Sequence, residues 1–319
     1  MTKVALIGEF HEAGKKILEE NNINYFSTFD YDFENLKNCL SDCDGIGIRT
    51  AKLPAEVLSH CSKLKIVARH GVGYDSVDLD YLNTKKIPLA ITGTSNAVSV
   101  AEHVITMFLS LSRRIIECHN LVRNGEYVNK TLIQKTVELF NKKVLIVGYG
   151  RIGKEVAKRL SSFDCEILIH DPILESKNTD VTPYKFVNLE TGLRNANFIT
   201  IHIPLLENTK NLISKDEFSM MKNDTILVNT SRGGIVNQED LKIALEEEKI
   251  LGAGLDVFTK EPPDSDDPIL SAKNIIFTPH NAALTLECRT RMSIETIENI
   301  LNHLNNKTNI DNIINKNIL

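Results

Sequence analysis

The chain has 319 residues, 42% of them hydrophobic and 25% charged, with a formal net charge of −5. That length suits two domains better than one, and the composition is that of an ordinary soluble globular protein. The negative balance gives no footprint for nucleic acid, and no apolar run reaches the length of a membrane span, so neither partner is expected. The start, MTKVALIGEF, enters a strand-like run directly, without the basic region and cleavage site of a signal peptide. Cysteines stand at 39, 43, 61, 118, 165 and 288, with no C-x-x-C. Cys39 and Cys43 could share a helix face, but no nearby His or Cys pair completes a zinc set. No metal is expected, and the pattern reads as reduced thiols of a cytoplasmic protein.

In chain order, short apolar runs alternate with amphipathic stretches. KVALIGEF precedes a helix-like HEAGKKILEENN; CDGIGIRT precedes KLPAEVLSHC; LKIVARHGVG and IPLAITG follow. This rhythm predicts a parallel sheet covered on both faces. It restarts at Lys143 with KVLIVGYG and continues through CEILIHDP, NFITIHIPL, TILVNTSRGG, LGAGLDVF and NIIFTPH. Between the two sets, residues 99–122 have helical spacing and predict one long helix. The stretch TLECRTRMSIETIENILNHL is again helical and is placed as a return to the first domain. The Asn- and Ile-rich tail from Asn305 reads as a loose strand or as disordered. The pattern gives two sets of doubly wound βα units; if the last helix returns, which spacing alone does not fix, the α/β domains are 1–98 plus 284–319 and an inserted 99–283.

Gly148, Gly150 and Gly153 spell G-x-G-x-x-G, a weak signal alone. A dinucleotide turn also needs a buried strand before it, which VLIV supplies, and a helix after it, which Ile152, Val156 and Leu160 mark at four-residue spacing. The helix N-terminus then offers free N–H groups to a pyrophosphate. Last comes an acid on the next strand for the ribose hydroxyls. EILIHDP ends in Asp171, and 171 − 153 = 18 residues, close to the ~20 of the motif. An acid there repels the 2′-phosphate of NADP, so NAD is the expected cofactor. Arg151 is either a phosphate contact or a solvated surface arginine.

Three further stretches carry charged residues just beyond strands: ILVNTSRGGIVN with Arg232, LDVFTKEPP with Glu261 and IIFTPHNAA with His280. With RHGVGYDSVDL, SNAVSVAEH, VGYGRIG and IHIPLLENTK, they form a series, running from about residue 45 to 285, that resembles the D-isomer-specific 2-hydroxyacid dehydrogenases and, within them, most closely the phosphoglycerate dehydrogenases. The resemblance implies a flavodoxin-like substrate domain, an inserted Rossmann domain for NAD, and a homodimer formed through the cofactor domains. It also implies that Asp256 holds the nicotinamide carboxamide, where the plain alternative is a helix or loop cap, and that Thr230 and Ile203 line the cofactor, mainly through backbone. Ile203 stands where relatives often have a small polar residue, so only its position carries over.

The chemistry accounts for the residue types. A 2-hydroxy acid gives up a hydride while its hydroxyl loses a proton, and a histidine suits that proton. His280 is the candidate base, with Glu261 fixing its tautomer. Arg232 offers a planar fork for the substrate carboxylate. Taken singly, these could be a structural histidine, a solvated loop acid and a surface-paired arginine; jointly and in the family's order they point to catalysis. Formate dehydrogenases of the family lack the glutamate, so Glu261 argues against that reaction.

At the substrate end, Gly71, Val72 and Gly73 form either an anion nest or a tight turn. Asn96 either touches substrate or caps a helix. Arg49 and Arg69 end strands and match arginines near the substrate of phosphoglycerate dehydrogenases; otherwise they are rim residues. Two extra cations suit a phosphate or second carboxylate, which makes 3-phosphoglycerate, and with it serine biosynthesis, the leading expectation. His70 departs from the small residue of many relatives. Glyoxylate, hydroxypyruvate or another 2-oxo acid is the runner-up, and an NAD-sensing corepressor is the alternative of another class. The chain stops soon after the return helix, so feedback through a C-terminal regulatory domain is not expected.

Overall fold

The computed structural model describes residues 2–128, 135–176 and 183–319. They form two compact units, 1–96 with 283–319, and 97–282.

The first unit is a parallel five-stranded sheet. Its strands are β1 (Lys3–Ile7), β2 (Asn24–Thr28), β3 (Gly45–Ile48), β4 (Ile66–Arg69) and β5 (Leu89–Ile91), in the order β2-β1-β3-β4-β5. Alternation along β1 sends Ala5 and Ile7 to one face and Val4 and Leu6 to the other. The first face is covered by α2 (Phe33–Leu40), α3 (Ala55–Leu58) and α4 (Leu79–Lys85), through Leu36, Leu40, Val57 and Leu82. The second is covered by α1 (Glu12–Glu20) and, from the far end of the chain, by the return helix Leu286–Leu304. Ile297 and Ile300 of that helix are fully buried, each stabilising by about 1.5–3 kcal/mol. α1 meets the return helix so closely that a Cβ at Gly14 would come within 2.8 Å of the Ser293 carbonyl oxygen.

Two strands escaped the sequence pattern. β2 is an edge strand with mixed exposure, so its residues lack a continuous apolar run. The other is the two-residue strand Lys185–Phe186 of the second unit. The tail is neither loose nor disordered. Ile313 makes an antiparallel bridge to Ala90, and Asn315 donates to Ile87 O and accepts from Leu89 N–H. Polar side chains that replace backbone partners tie it down, a signal that hydrophobic periodicity does not carry.

The second unit opens with α5 (Ala97–Ser112) and α6 (Ile115–Arg123), which replace the single helix expected there. Arg114 breaks them apart with a left-handed φ of 51°, and its guanidinium bonds Glu117 and Asn274. A seven-stranded parallel sheet follows: β6 (Lys143–Val147), β7 (Glu166–His170), β8 (Lys185–Phe186), β9 (Phe198–Ile201), β10 (Ile226–Asn229), β11 (Gly252–Leu255) and β12 (Ile275–Phe277). Its order is β12-β11-β10-β9-β6-β7-β8. The intervening helices are α7 (Arg151–Ser161), α8 (Pro172–Ser176), α9 (Leu189–Asn195), α10 (Lys215–Met220) and α11 (Gln238–Glu246); the return helix is α12. Leu145 and Val147 of β6 face the layer containing Leu193, Phe218 and Leu241, whereas Val144 and Ile146 face Phe108, Val156 and Leu160. The direction of winding reverses between β6 and β9, and such a reversal opens a crevice at the carboxyl ends of the strands. Both units therefore display the doubly wound architecture expected from the alternating pattern.

Candidate functional site

In the second unit every singled-out residue falls at or beyond the carboxyl end of a strand. After β6, Gly148 turns the chain with φ of 93°, and a Cβ there would approach the His202 carbonyl oxygen to 2.6 Å. A Cβ at Gly153 would lie 2.2 Å from the Gly148 carbonyl oxygen, so only glycine lets α7 start this close to the strand. A Cβ at Gly150 would meet nothing within 4 Å. Ile152 packs partly against the core, Arg151 is exposed on the first turn, and Ile203 lies against Gly148. Beyond β7, Asp171 uses both carboxylate oxygens to shape the site. Oδ2 accepts from Tyr149 N–H at 2.9 Å and Oδ1 from Leu174 N–H at 3.0 Å. The Thr230 hydroxyl is buried with no hydrogen-bond partner among the described residues. An open glycine turn at a helix N-terminus, an oriented acid and an orphaned hydroxyl fit a bound dinucleotide.

The turn after β10 is organised by Asn229, which sequence reasoning missed. Its Oδ1 accepts from Ser231 N–H and Oγ, and its Nδ2 donates to Arg232 O. Arg232 Nη1 donates to Ser231 O at 2.7 Å. The next residue, Gly233, passes so close to Phe258 that a Cβ would overlap its carbonyl oxygen. The Arg232 turn thus packs directly on the loop that carries Glu261. There Glu261 Oε1 accepts from Phe258 N–H at 3.0 Å, while Oε2 lies 2.7 Å from His280 Nδ1. With Nδ1 facing a carboxylate, Nε2 is the ring nitrogen left for a substrate hydroxyl or carbonyl. His280 itself has φ of 50°, an uncommon conformation for a non-glycine residue and one found at functional turns.

Asp256 is fully buried and realises the loop-cap alternative. It accepts from Thr278 Oγ1 at 2.5 Å, Asn281 N–H at 2.9 Å and Ala282 N–H at 3.1 Å, bracketing His280 on both sides. His103 of α5 completes the cluster, 3.0 Å from Thr278 Oγ1. Burial lowers the His103 pKa, and the Asp256 charge opposes that fall. Neither Thr278 nor His103 stood out in the sequence, since each is an ordinary residue until the fold brings it to Asp256.

The first unit gathers its candidates at the carboxyl edge of its own sheet. Arg69 donates to the carbonyl of His70 at 2.8 Å, and the Gly71 N–H donates to Arg69 O at 3.0 Å. The Gly71 N–H is thus turned back onto its own chain, as in the tight-turn alternative, and leaves only the N–H groups of Val72 and Gly73 for a nest. His70 is buried against Phe10, with Nε2 3.0 Å from Ser293 Oγ. Burial, then the charges of Arg49 and Arg69, push its imidazole down to about 4. Asn96 is buried with its Oδ1 lacking a partner among the described residues, so that oxygen caps no helix. Arg49 pairs with Glu9 at 3.0 Å, and Glu9 also pairs with Arg289 of α12. Arg289, then Arg49, hold the Glu9 carboxyl below its usual range.

Comparison with known proteins gives this chain relatives. Residues 105–282 match the family model described as D-isomer specific 2-hydroxyacid dehydrogenase, NAD binding domain. The chain is 36% identical to the D-3-phosphoglycerate dehydrogenase of Archaeoglobus fulgidus over 78% of its own length, and it spans 47% of that relative. The match thus spans about half the length of that relative. It is 35% identical to the hydroxypyruvate reductase of Thermotoga maritima, over 83% of this chain and 86% of the relative. Among solved structures, the NAD-dependent formate dehydrogenase of Staphylococcus aureus in complex with NAD aligns with a TM-score of 0.84 at 33% identity. That alignment covers 98% of this chain and 99% of the other.

Proposed function

The chain belongs to the D-isomer specific 2-hydroxyacid dehydrogenase family, and we propose that it interconverts a small D-2-hydroxy acid and its 2-oxo acid with NAD. The observation that carries this reading is the 2.7 Å pair of Glu261 and His280, packed beside the Arg232 turn. When bound, NAD supplies the acceptor or donor of the hydride at C2. The Gly148–Gly153 turn, Asp171, Thr230 and Ile203 would hold it, and Asp171 favours NAD over NADP by charge. Arg232 binds the substrate carboxylate and polarises the neighbouring carbonyl. His280 takes the hydroxyl proton on Nε2 during oxidation and returns it during reduction, while Glu261 keeps the proton on Nδ1 and stabilises the charged ring. Formate oxidation releases no hydroxyl proton, so a Glu–His pair has nothing to do there; its presence supports a hydroxy acid. Asp256 keeps the His280 loop in place, with the carboxamide contact as its second proposed duty.

Two substrate readings each rest on an observation. Arg49 and Arg69, both at strand ends, suit the second anionic group of 3-phosphoglycerate, which would place the enzyme in serine biosynthesis. The similarity to a hydroxypyruvate reductase over 86% of that relative favours hydroxypyruvate or glyoxylate. The comparisons lend no support to a corepressor role. A homodimer through the second unit is supported by α6, which buries none of its residues and exposes Ile115, Ile116 and Val122. A cytoplasmic location fits six free cysteines. Among the described residues no helix is long and apolar enough to cross a membrane.

The test is NADH oxidation with 3-phosphohydroxypyruvate, hydroxypyruvate, glyoxylate and 2-oxoglutarate, repeated with NADPH, alongside NAD reduction by formate. Turnover of a 2-oxo acid with preference for NADH is expected. Turnover of formate alone, or of nothing despite NADH binding, would overturn the reading.

A further inference from the structure

We propose that Glu9 is a specificity-determining residue: its carboxylate occupies the anion site built by Arg49 and Arg289, so the enzyme takes 2-oxo acids with an uncharged distal end and resists those ending in phosphate. The inference rests on the proposed reaction for its substrate class and selects between the two substrate readings.

The place is the topological switch point of the first unit. In the order β2-β1-β3-β4-β5 the winding reverses between β1 and β3, and ligands of such sheets bind at the carboxyl ends flanking that point. Glu9 follows β1 and Arg49 follows β3. The turn that presents Glu9 is well defined. Gly8 has φ of 100°, and the Arg49 side chain and the Tyr31 hydroxyl stand 3.2 and 3.3 Å from where its Cβ would be. Arg289 reaches the same spot from the first turns of α12, on the other side of Glu9.

The two oxygens of Glu9 are divided between the two guanidinium groups, Oε2 to Arg49 Nη1 at 3.0 Å and Oε1 to Arg289 Nη2. Two oxygens presented to two guanidinium groups is the demand that a phosphate or a second carboxylate of a ligand would satisfy. A phosphate arriving here meets a like charge and must displace it. The displaced carboxylate is half-exposed and can be hydrated, so the penalty is a moderate discrimination rather than an absolute block. A hydroxymethyl group or a hydrogen at that end meets a patch whose two guanidinium charges Glu9 has already reduced to one. Arg49 at its strand end suggests a phosphate site only while its partner carboxylate goes uncounted, and Glu9 lies 40 residues from it in the chain.

The decisive experiment compares wild type with Glu9→Gln and Glu9→Asp. The readout is kcat/KM for 3-phosphohydroxypyruvate divided by kcat/KM for hydroxypyruvate, with NADH. Glu9→Gln should raise this ratio about tenfold through a lower KM for the phosphorylated acid. Glu9→Asp, which keeps the charge, should stay near the wild-type ratio. An unchanged ratio in Glu9→Gln would mean the arginines do not meet the distal end of the substrate. A lower ratio would make Glu9 a buttress that holds Arg49 ready for phosphate. Either result overturns the proposal. If the wild type turns over none of these acids, the proposed activity fails separately, and calorimetric binding of 3-phosphoglycerate then decides on Glu9. About tenfold tighter binding by Glu9→Gln supports the anion site, and equal binding overturns it.

Discussion

Glu261 and His280 meet at 2.7 Å from loops that leave adjacent strands, and the second oxygen of the same carboxylate is anchored on the Phe258 N–H. The carboxylate is thus fixed by its own loop before it fixes the imidazole. His280→Ala should lower kcat by ~10²–10⁴ and Glu261→Gln by a smaller factor, with thermal stability little changed because both side chains are exposed. The double variant should be no slower than His280→Ala, since the carboxylate acts through the imidazole. Additive losses in steady-state kinetics would sink this coupling.

Arg232→Lys should reduce kcat/KM by about a hundredfold, because an ammonium offers one point charge where a carboxylate and a carbonyl need a fork. The turn itself should survive, being held by Asn229 and by the close contact of Gly233 with Phe258. Near-normal kcat/KM with an unchanged melting temperature would remove Arg232 from the substrate contact.

Asp171→Ser should weaken NADH binding more than NADPH binding, since the repulsion of a 2′-phosphate goes with the acid. The variant also loses acceptors for the Tyr149 and Leu174 N–H groups, so a loss of about 1–2 kcal/mol in stability should accompany it. Equal weakening of both cofactors, measured by titration, would contradict the ribose assignment.

Asp256→Asn replaces one of two oxygens that accept from Thr278, Asn281 and Ala282. The amide can keep part of this set only by leaving a buried donor unmatched, at a cost of about 1–3 kcal/mol. The melting temperature should fall by several degrees and kcat should fall with it, because the loop that loosens carries His280. A drop in stability with kcat intact would confine Asp256 to folding.

His70 supplies a pH dependence. Its folded-state pKa of about 4 lies below the ordinary 6.5, so the unfolded chain binds the extra proton first as pH falls. The stabilisation from keeping the ring neutral is complete above pH ~6.5 and is lost as pH drops toward 4, amounting to at most about 3 kcal/mol. Denaturant melts of wild type and His70→Asn should therefore converge between pH 7 and pH 4. Curves that stay parallel across that window would show that the ring is not kept neutral.

The α/β alternation, the glycine turn with Asp171, and the series Arg232, Glu261, His280 are legible from residue order because each is local. A strand, its turn and the residue just beyond it lie within a dozen positions, and buried parallel strands advertise themselves as apolar runs. The short edge strand β2, the break at Arg114 and the pinned tail were not legible, since mixed exposure, a left-handed arginine and polar side-chain ties leave no periodic trace.

The sequence by itself determined the α/β alternation, the glycine turn and the candidate catalytic residue types, because these depend on hydrophobic periodicity and on short motifs with their own chemistry. Only the tertiary structure decided which charges those residues meet. It brought Asp256 beneath the His280 loop, laid the Gly71 N–H back on its own turn, and set Glu9 between Arg49 and Arg289. Ion pairs and buried hydrogen bonds join positions tens to hundreds of residues apart, and their partners are chosen by the packing of strands and helices.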